Sequence, residues 1–227
     1  MVRSGKIEAT AVGAVILAAG AGRRMGGAPK PLLRRDGEPL LLRQVRVAAT
    51  AGAAAVVVVL GYYADQLSTV LDRSLASAQD RYAETRVNRV VNPAPDDGTG
   101  SSLRCGLTAL PDDLSAYLVM LGDQPLLEAE DVQAVLAAWQ ARPPGIQLVL
   151  PQHANRLGHP VVFGSELYRE VAHARDGFGV REWRHAHPER IWFLQASHAR
   201  FTTDVDTPAD LDRLRDEFGV ELAWPNL

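Results

Sequence analysis

Short apolar runs alternate with longer stretches of helical periodicity along almost the whole chain. The strand-length runs fall at 14–18, 55–60, 87–91, 117–121, 147–150, 160–163 and 191–194. The helical patterns cover 39–50, 64–77, 101–110, 129–141, 165–172 and 208–218. Such alternation predicts a mostly parallel sheet covered by helices on both faces, a three-layer α/β/α sandwich of the Rossmann-like kind. The strand runs are continuously apolar, as strands buried on both sides must be. With 227 residues the chain suits one domain over 11–227, preceded by a polar, flexible segment at 1–10.

Composition limits the function classes. The net charge of -3 offers no general basic field for nucleic acid. The single cysteine, Cys105, excludes an internal disulfide and a cysteine-based zinc site, which suits a reducing compartment. Residues 11–22 resemble the apolar core of a signal peptide, but they run into Arg23-Arg24 and contain a glycine motif. They read as a buried strand plus loop. No run is long and apolar enough to span a bilayer, so the expectation is a cytoplasmic protein that binds neither membrane nor nucleic acid.

In a sheet of this kind ligands bind at the carboxyl ends of the strands. The first such end, VILAAGAGRRMGGAPKPLL, is small and glycine-rich from Ala19 to Gly27. Glycines let successive N–H groups approach a phosphate, and Lys30, stiffened between Pro29 and Pro31, adds a pinned charge. The loop is not a Walker A motif, because Gly27 is followed by Ala28-Pro29-Lys30. It is not a dinucleotide fingerprint either, because Met25 replaces the third glycine and Gly61-Tyr62-Tyr63 stand where an acid is needed.

Other chemistry-bearing residues fall at later strand ends. Asn92 follows the third run, and the fourth ends in Gly122-Asp123. A carboxylate beside a phosphate loop suits a hard cation. In FTTDVDTPADL, Thr207, Pro208 and Asp210 suffice to start a helix, which leaves the Asp206 side chain free or simply exposed. In GTGSSLRCGL, Ser101 or Ser102 suits a helix cap, and Cys105 reads as a small core residue of that helix rather than a nucleophile. His159 before Pro160 fits a ligand, a base or a stiff turn residue. The other histidines show no metal-ligand spacing.

The string L-A-A-G-x-G-x-R-M-G-x-x-P-K resembles the signature of the nucleotidyltransferases that activate sugar phosphates, methylerythritol phosphate and molybdopterin. L-G-D-Q-P, L-G-H-P-V-V-F and R-D-G-F-G-V-R, in that order, resemble the molybdenum cofactor cytidylyltransferase branch, although Arg175 and Val180 depart from its usual glycine and alanine. The resemblance implies a nucleotidyltransferase fold and transfer of CMP from CTP to molybdopterin or its molybdenum-bearing form, with release of pyrophosphate. It implies that Leu17, Ala18 and Ala19 line the base and ribose, that Gly20, Gly22, Arg23 and Lys30 hold phosphates, and that Gly100, Ser101 and Ser102, with Asn92, face the nucleotide. Asp123 and Asp206 would hold magnesium, with Lys30, Arg23 and Asp123 as the catalytic set. His159, Asp176 and Arg181 would meet the acceptor. A guanylyl or sugar-phosphate transferase of the same fold, or a carrier that hands the finished cofactor to a molybdenum hydroxylase or its maturation chaperone, fits the same motifs.

Overall fold

A computed structural model describes residues 11–77, 84–174 and 178–225. The segment expected to be flexible at 1–10 and the acceptor candidate Asp176 lie outside the described residues.

The main sheet is built around β1 (Val12–Ala18), which pairs in parallel with β4 (Ala55–Leu60) on one side and β6 (Ala116–Leu121) on the other. β5 (Arg86–Val91) pairs with β4 at one edge. Beyond β6 lie β9 (Val161–Gly164), β7 (Leu148–His153) and β10 (Ile191–Gln195), giving the order β10-β7-β9-β6-β1-β4-β5. The sheet is mostly parallel, as the alternation predicts. β9 is the exception and runs antiparallel to both neighbours, and β8 (Arg156–Leu157) pairs antiparallel with β7.

The two faces follow from the two-residue period of a strand. Val12, Ala14, Ile16 and Ala18 of β1 pack with Val56, Val58 and Leu60 of β4 in one apolar cluster. This layer is covered by α1 (Leu40–Thr50), α2 (Ala64–Ser77) and α4 (Ala129–Ala141), through side chains such as Val45, Leu67 and Trp139. Val15, Val57 and Val59 face the other way, against α3 (Thr99–Thr108), α5 (Ser165–Ala172) and α6 (Val180–Ala186), which supply Leu107, Leu167 and Trp183. A Val, Leu or Ile side chain contributes roughly 1.5–3 kcal/mol when buried, and β1 buries both faces. Cys105 packs against this second cluster, as a small core residue does.

A smaller sheet of β2 (Arg34–Arg35), β3 (Glu38–Pro39) and β11 (Leu222–Ala223) stands beside α7 (Pro208–Phe218). Two sequence expectations change. The run at 87–91 is an edge strand, so Arg86, Asn88 and Arg89 of β5 face solvent instead of being buried on both sides. The helix expected to start at Ser101 begins at Thr99. Its cap is Gly98, at φ 90°, and no side chain caps it.

Two features of this frame place the site. The chain leaves β1 towards β4 on one side and later reaches β6 on the other, so a crevice opens at the carboxyl ends of β1 and β6. Gly106 lets α3 lie directly on the sheet, since a Cβ there would meet the Val15 side chain at 2.3 Å. The start of α3 is thereby held over the same crevice.

Candidate active site

The crevice, about 320 Å³, is lined by Leu17, Ala18, Ala19 and Gly20 after β1, by Lys30, by Asp123 after β6, and by Asp204 and Asp206 before α7. Thr99 and Ser102 from the start of α3 close another side. Gly22 takes the left-handed conformation at φ 59° and accepts hydrogen bonds from Met25 and Gly27, which turns the loop back on itself. Tyr63 braces it by donating to the carbonyls of Ala21 and Gly27.

The charged centre is a cluster of four side chains. Lys30 Nζ lies 2.5 Å from Asp123 Oδ2 and 2.9 Å from Asp206 Oδ1. Arg24 meets the other Asp206 oxygen at 2.9 Å. Lys30 and Asp123 are each only 16% exposed, so these pairs are poorly screened. Burial disfavours the Lys30 charge, but Asp123 and Asp206 outweigh it and hold its pKa above the ordinary lysine value. Burial also lifts the Asp123 carboxyl above the usual carboxylate range, Lys30 opposes that lift, and Asp204 and Asp206 reinforce it.

Backbone bonds fix the spacing of the acids. Val205 N–H donates to the Asp123 carbonyl at 3.1 Å. Gln124, itself buried, donates from Nε2 to the Phe201 carbonyl at 2.9 Å. Gln44 of α1 donates to the Gln124 carbonyl at 2.6 Å. The extended segment 201–206 is thus tied to the end of β6. Asp210 accepts from the Thr207 amide and hydroxyl and from the Asp206 amide, so the start of α7 is capped without the Asp206 side chain, as the sequence predicts.

A second chamber of about 510 Å³ adjoins the first and shares Leu17, Gly98 and Thr99 with it. Its walls are mainly apolar, from Leu103, Val119, Leu150, Leu157, Val161 and Val180, with His159, Arg181 and Arg184 as its basic groups. Among the described residues Arg181 makes no hydrogen bond or ion pair. The His159–Pro160 peptide is cis, and the His159 amide donates to the Phe201 carbonyl that also holds Gln124. Burial, with a smaller push from Arg184, lowers the His159 pKa to about 4. Its ring is therefore neutral at pH 7 and is no phosphate clamp.

That shift carries a stability consequence. Between about pH 6.5 and about pH 4 the unfolded chain takes a proton that the folded ring refuses, so this contribution is complete above 6.5 and is lost as the pH falls towards 4. Thermal midpoints recorded across that interval should fall less steeply for His159→Gln than for the wild type. Parallel curves would remove His159 as the cause.

The expected site residues thus separate. Leu17, Ala18, Ala19, Gly20, Lys30, Ser102, Asp123 and Asp206 share one crevice. Gly100, His159 and Arg181 line the adjoining chamber. Arg23 departs from the expectation, since its guanidinium turns outward to Asp96 at 2.7 Å and Tyr62 at 3.3 Å. Arg24, not singled out from the sequence, occupies the carboxylate cluster instead. Asn92 is buried and spends its amide on Ser101, Ser102 and the Ala94 amide. It shapes the 92–98 loop, and no polar atom of its side chain is left to meet a nucleotide directly. Ser101 is likewise turned into this buried network. Asp204 also went unread. In T-D-V-D-T an extended backbone sends Asp204 and Asp206 to one side and Val205, fully buried, to the other, so the two-residue period was the available signal.

Residues 14–191 match the family described as MobA-like NTP transferase domain. The chain belongs to that family. The match runs from β1, through the glycine loop and Asp123, to the first residue of β10. Rv0371c from Mycobacterium tuberculosis H37Rv has a similar crystal structure, with a TM-score of 0.72 and 27% identity over 92% of this chain and 98% of that one. The same protein solved in complex with manganese gives a TM-score of 0.68 at 27% identity, covering 90% of this chain and 98% of that one. The bifunctional protein GlmU of Sorangium cellulosum (strain So ce56) is 37% identical over 132 residues, which is 58% of this chain and 27% of that protein. This MobA-like chain spans about a quarter of the length of the curated relatives it matches.

Proposed function

We propose that the protein transfers the cytidylyl group of CTP to the phosphate of a molybdopterin-type acceptor and releases pyrophosphate. The observation that carries this reading is the shared position of Lys30, Asp123 and Asp206 beside Leu17–Gly20 in a MobA-like fold, with a second chamber next to it. The first crevice has the features of a triphosphate site. The second offers a mainly apolar enclosure with Arg181, whose side chain has no partner among the described residues, which suits a flat heterocycle bearing a phosphate better than a polyhydroxylated sugar.

The residues present fit a hard divalent cation. Asp123 and Asp206 offer oxygen donors, and both are within 2.9 Å of one ammonium nitrogen. Among the described residues no group of three or more His, Cys, Asp or Glu side chains could hold a metal, so the remaining ligands would be phosphate oxygens and water. The Rv0371c structure solved in complex with manganese supports a divalent ion. Asp123 and Asp206 would hold magnesium, which when bound supplies compensation for the negative charge of the phosphates.

The chemistry asks little of the protein beyond position and charge. The acceptor monoester has a second pKa of about 6 and is already ionised near pH 7. One of its oxygens forms the new bond to the α-phosphorus, while the bond from the α-phosphorus to the bridging oxygen breaks and pyrophosphate takes the electron pair. No general base is required, and His159, with its pKa lowered to about 4, would be a weak one. Lys30 and Arg24 stand where the departing pyrophosphate gathers charge. Arg181 holds the acceptor phosphate from the far chamber.

The deciding measurement is pyrophosphate release from each of the four nucleoside triphosphates, with molybdopterin or a sugar 1-phosphate as acceptor. CTP with molybdopterin should be the fastest pair. Ala19 puts a methyl group in the wall of the nucleotide crevice, which should disfavour the larger purine of GTP. Preference for GTP, or turnover with the sugar phosphate alone, would overturn the assignment. Within the same assay, Arg181→Ala should raise the KM for acceptor more than that for CTP. Equal rises would mark Arg181 as structural.

A further inference from the structure

The two carboxylates proposed to hold the metal already have counter-ions built into the chain. Lys30 bridges Asp123 and Asp206, and Arg24 takes the second Asp206 oxygen. Asp204 adds a third acid to the crevice, but the contacts of Lys30 and Arg24 go to Asp123 and Asp206, so this pair carries its own two counter-charges before any ligand arrives. A lone divalent cation entering between the acids must displace an ammonium that sits 2.5 Å and 2.9 Å from their oxygens. The displaced ammonium is then left in a half-buried crevice without a partner, which is costly. A nucleoside triphosphate changes that balance, because it brings several negative oxygens to the same crevice, where Lys30 and the Gly20 loop line one wall.

We propose that Lys30 and Arg24 are exchangeable counter-ions that shut the carboxylate pair to free divalent cations and release it when a triphosphate arrives. The inference rests on the metal reading given under the proposed function and adds to it the form in which the metal enters. Lys30 and Arg24 move from the acids to the phosphates, and the cation takes the place they leave. Metal and nucleotide therefore bind with positive coupling, and the coupling is reciprocal. Lys30 is the main element because its side chain is only 16% exposed and touches both acids. Arg24, 68% exposed, is the weaker one.

The test is Mn2+ binding followed by electron paramagnetic resonance, at fixed ionic strength and without turnover. Wild type, Lys30→Met, Arg24→Gln and Asp123→Asn are titrated with Mn2+ alone, then with Mn2+ and the α,β-methylene analogue of CTP. With Mn2+ alone, Lys30→Met should bind more tightly than the wild type, by about 5- to 150-fold, the usual range of such couplings. Arg24→Gln should tighten binding by up to about fivefold, the range of an exposed pair. It serves as the second variant should Lys30→Met not fold. The analogue should tighten Mn2+ binding to wild type more than to Lys30→Met. A Lys30→Met protein that binds Mn2+ alone no better than wild type overturns the exchange while leaving the metal site standing. Failure of every protein to bind Mn2+, or binding unaffected by Asp123→Asn, overturns the metal reading itself and the exchange with it.

Discussion

Asp123→Asn should slow turnover by about a hundredfold or more while the protein stays folded. The substitution keeps the size of the side chain and most of its hydrogen bonding but removes the negative charge. Lys30 then loses the nearer of its two partners, and the proposed cation loses one of its two protein ligands. A transition-state contact of a few kcal/mol corresponds to that fall in rate. The fold should survive, because Asp123 lies beyond the end of β6, and the bond from Val205 to this position uses the Asp123 carbonyl, which asparagine retains. Turnover measured against magnesium concentration, with circular dichroism as the folding control, gives the answer. Full activity in the folded variant, or in wild type with excess chelator, would remove the metal and the mechanism built on it.

Gly22→Val should cripple the proposed nucleotide site through the backbone alone. Gly22 is held at φ 59°, where a β-branched residue is strained by about 1–2 kcal/mol. A Cβ at this position would stand 2.1 Å from the Ala28 carbonyl oxygen, so the 28–30 backbone must move, and Lys30 with it. A displacement of about 1 Å at a positioning group can cost roughly a hundredfold in rate, and a fall of that size in kcat/KM for CTP is expected. Gly20→Ala is the contrasting change. Its added methyl meets nothing within 4 Å, so the thermal midpoint should match wild type. Normal kinetics in Gly22→Val would show that the loop tolerates another path.

The parts of this molecule that could be read from sequence share a physical basis. The central strands bury both faces, and so they print themselves as unbroken apolar runs. The glycine loop and Asp123 were legible because they follow such runs directly. Strand direction leaves no comparable mark, and nothing in V-V-F-G distinguishes the antiparallel β9 from its neighbours. The two-residue strands β2, β3, β8 and β11 are too short to show a period. The start of α3 was misplaced because Gly98 ends the loop through its backbone conformation and not through a capping side chain. Arg23 and Arg24 are indistinguishable as residue types. A single turn of 3-10 helix over Arg23–Met25, set by the left-handed glycines on either side, sends one to Asp96 and the other to Asp206.

The reversed strand β9 divides responsibility within the site. In the parallel strands β1 and β6 the working residues follow the strand, whereas in β9 they precede it, at Gly158 and His159. The two groups meet at one peptide oxygen, that of Phe201, which receives Gln124 from one side and His159 from the other. Gly158 has no room for a side chain against that oxygen, at 2.4 Å from an added Cβ. With Gly158 and His159 left in place, exchange of residues 178–184 would, on the proposed reading, re-tool the pocket for a different phosphate monoester while the half around Lys30 and Asp123 kept its geometry. The joint itself tolerates little change, which makes it the natural boundary for grafting one acceptor preference onto another.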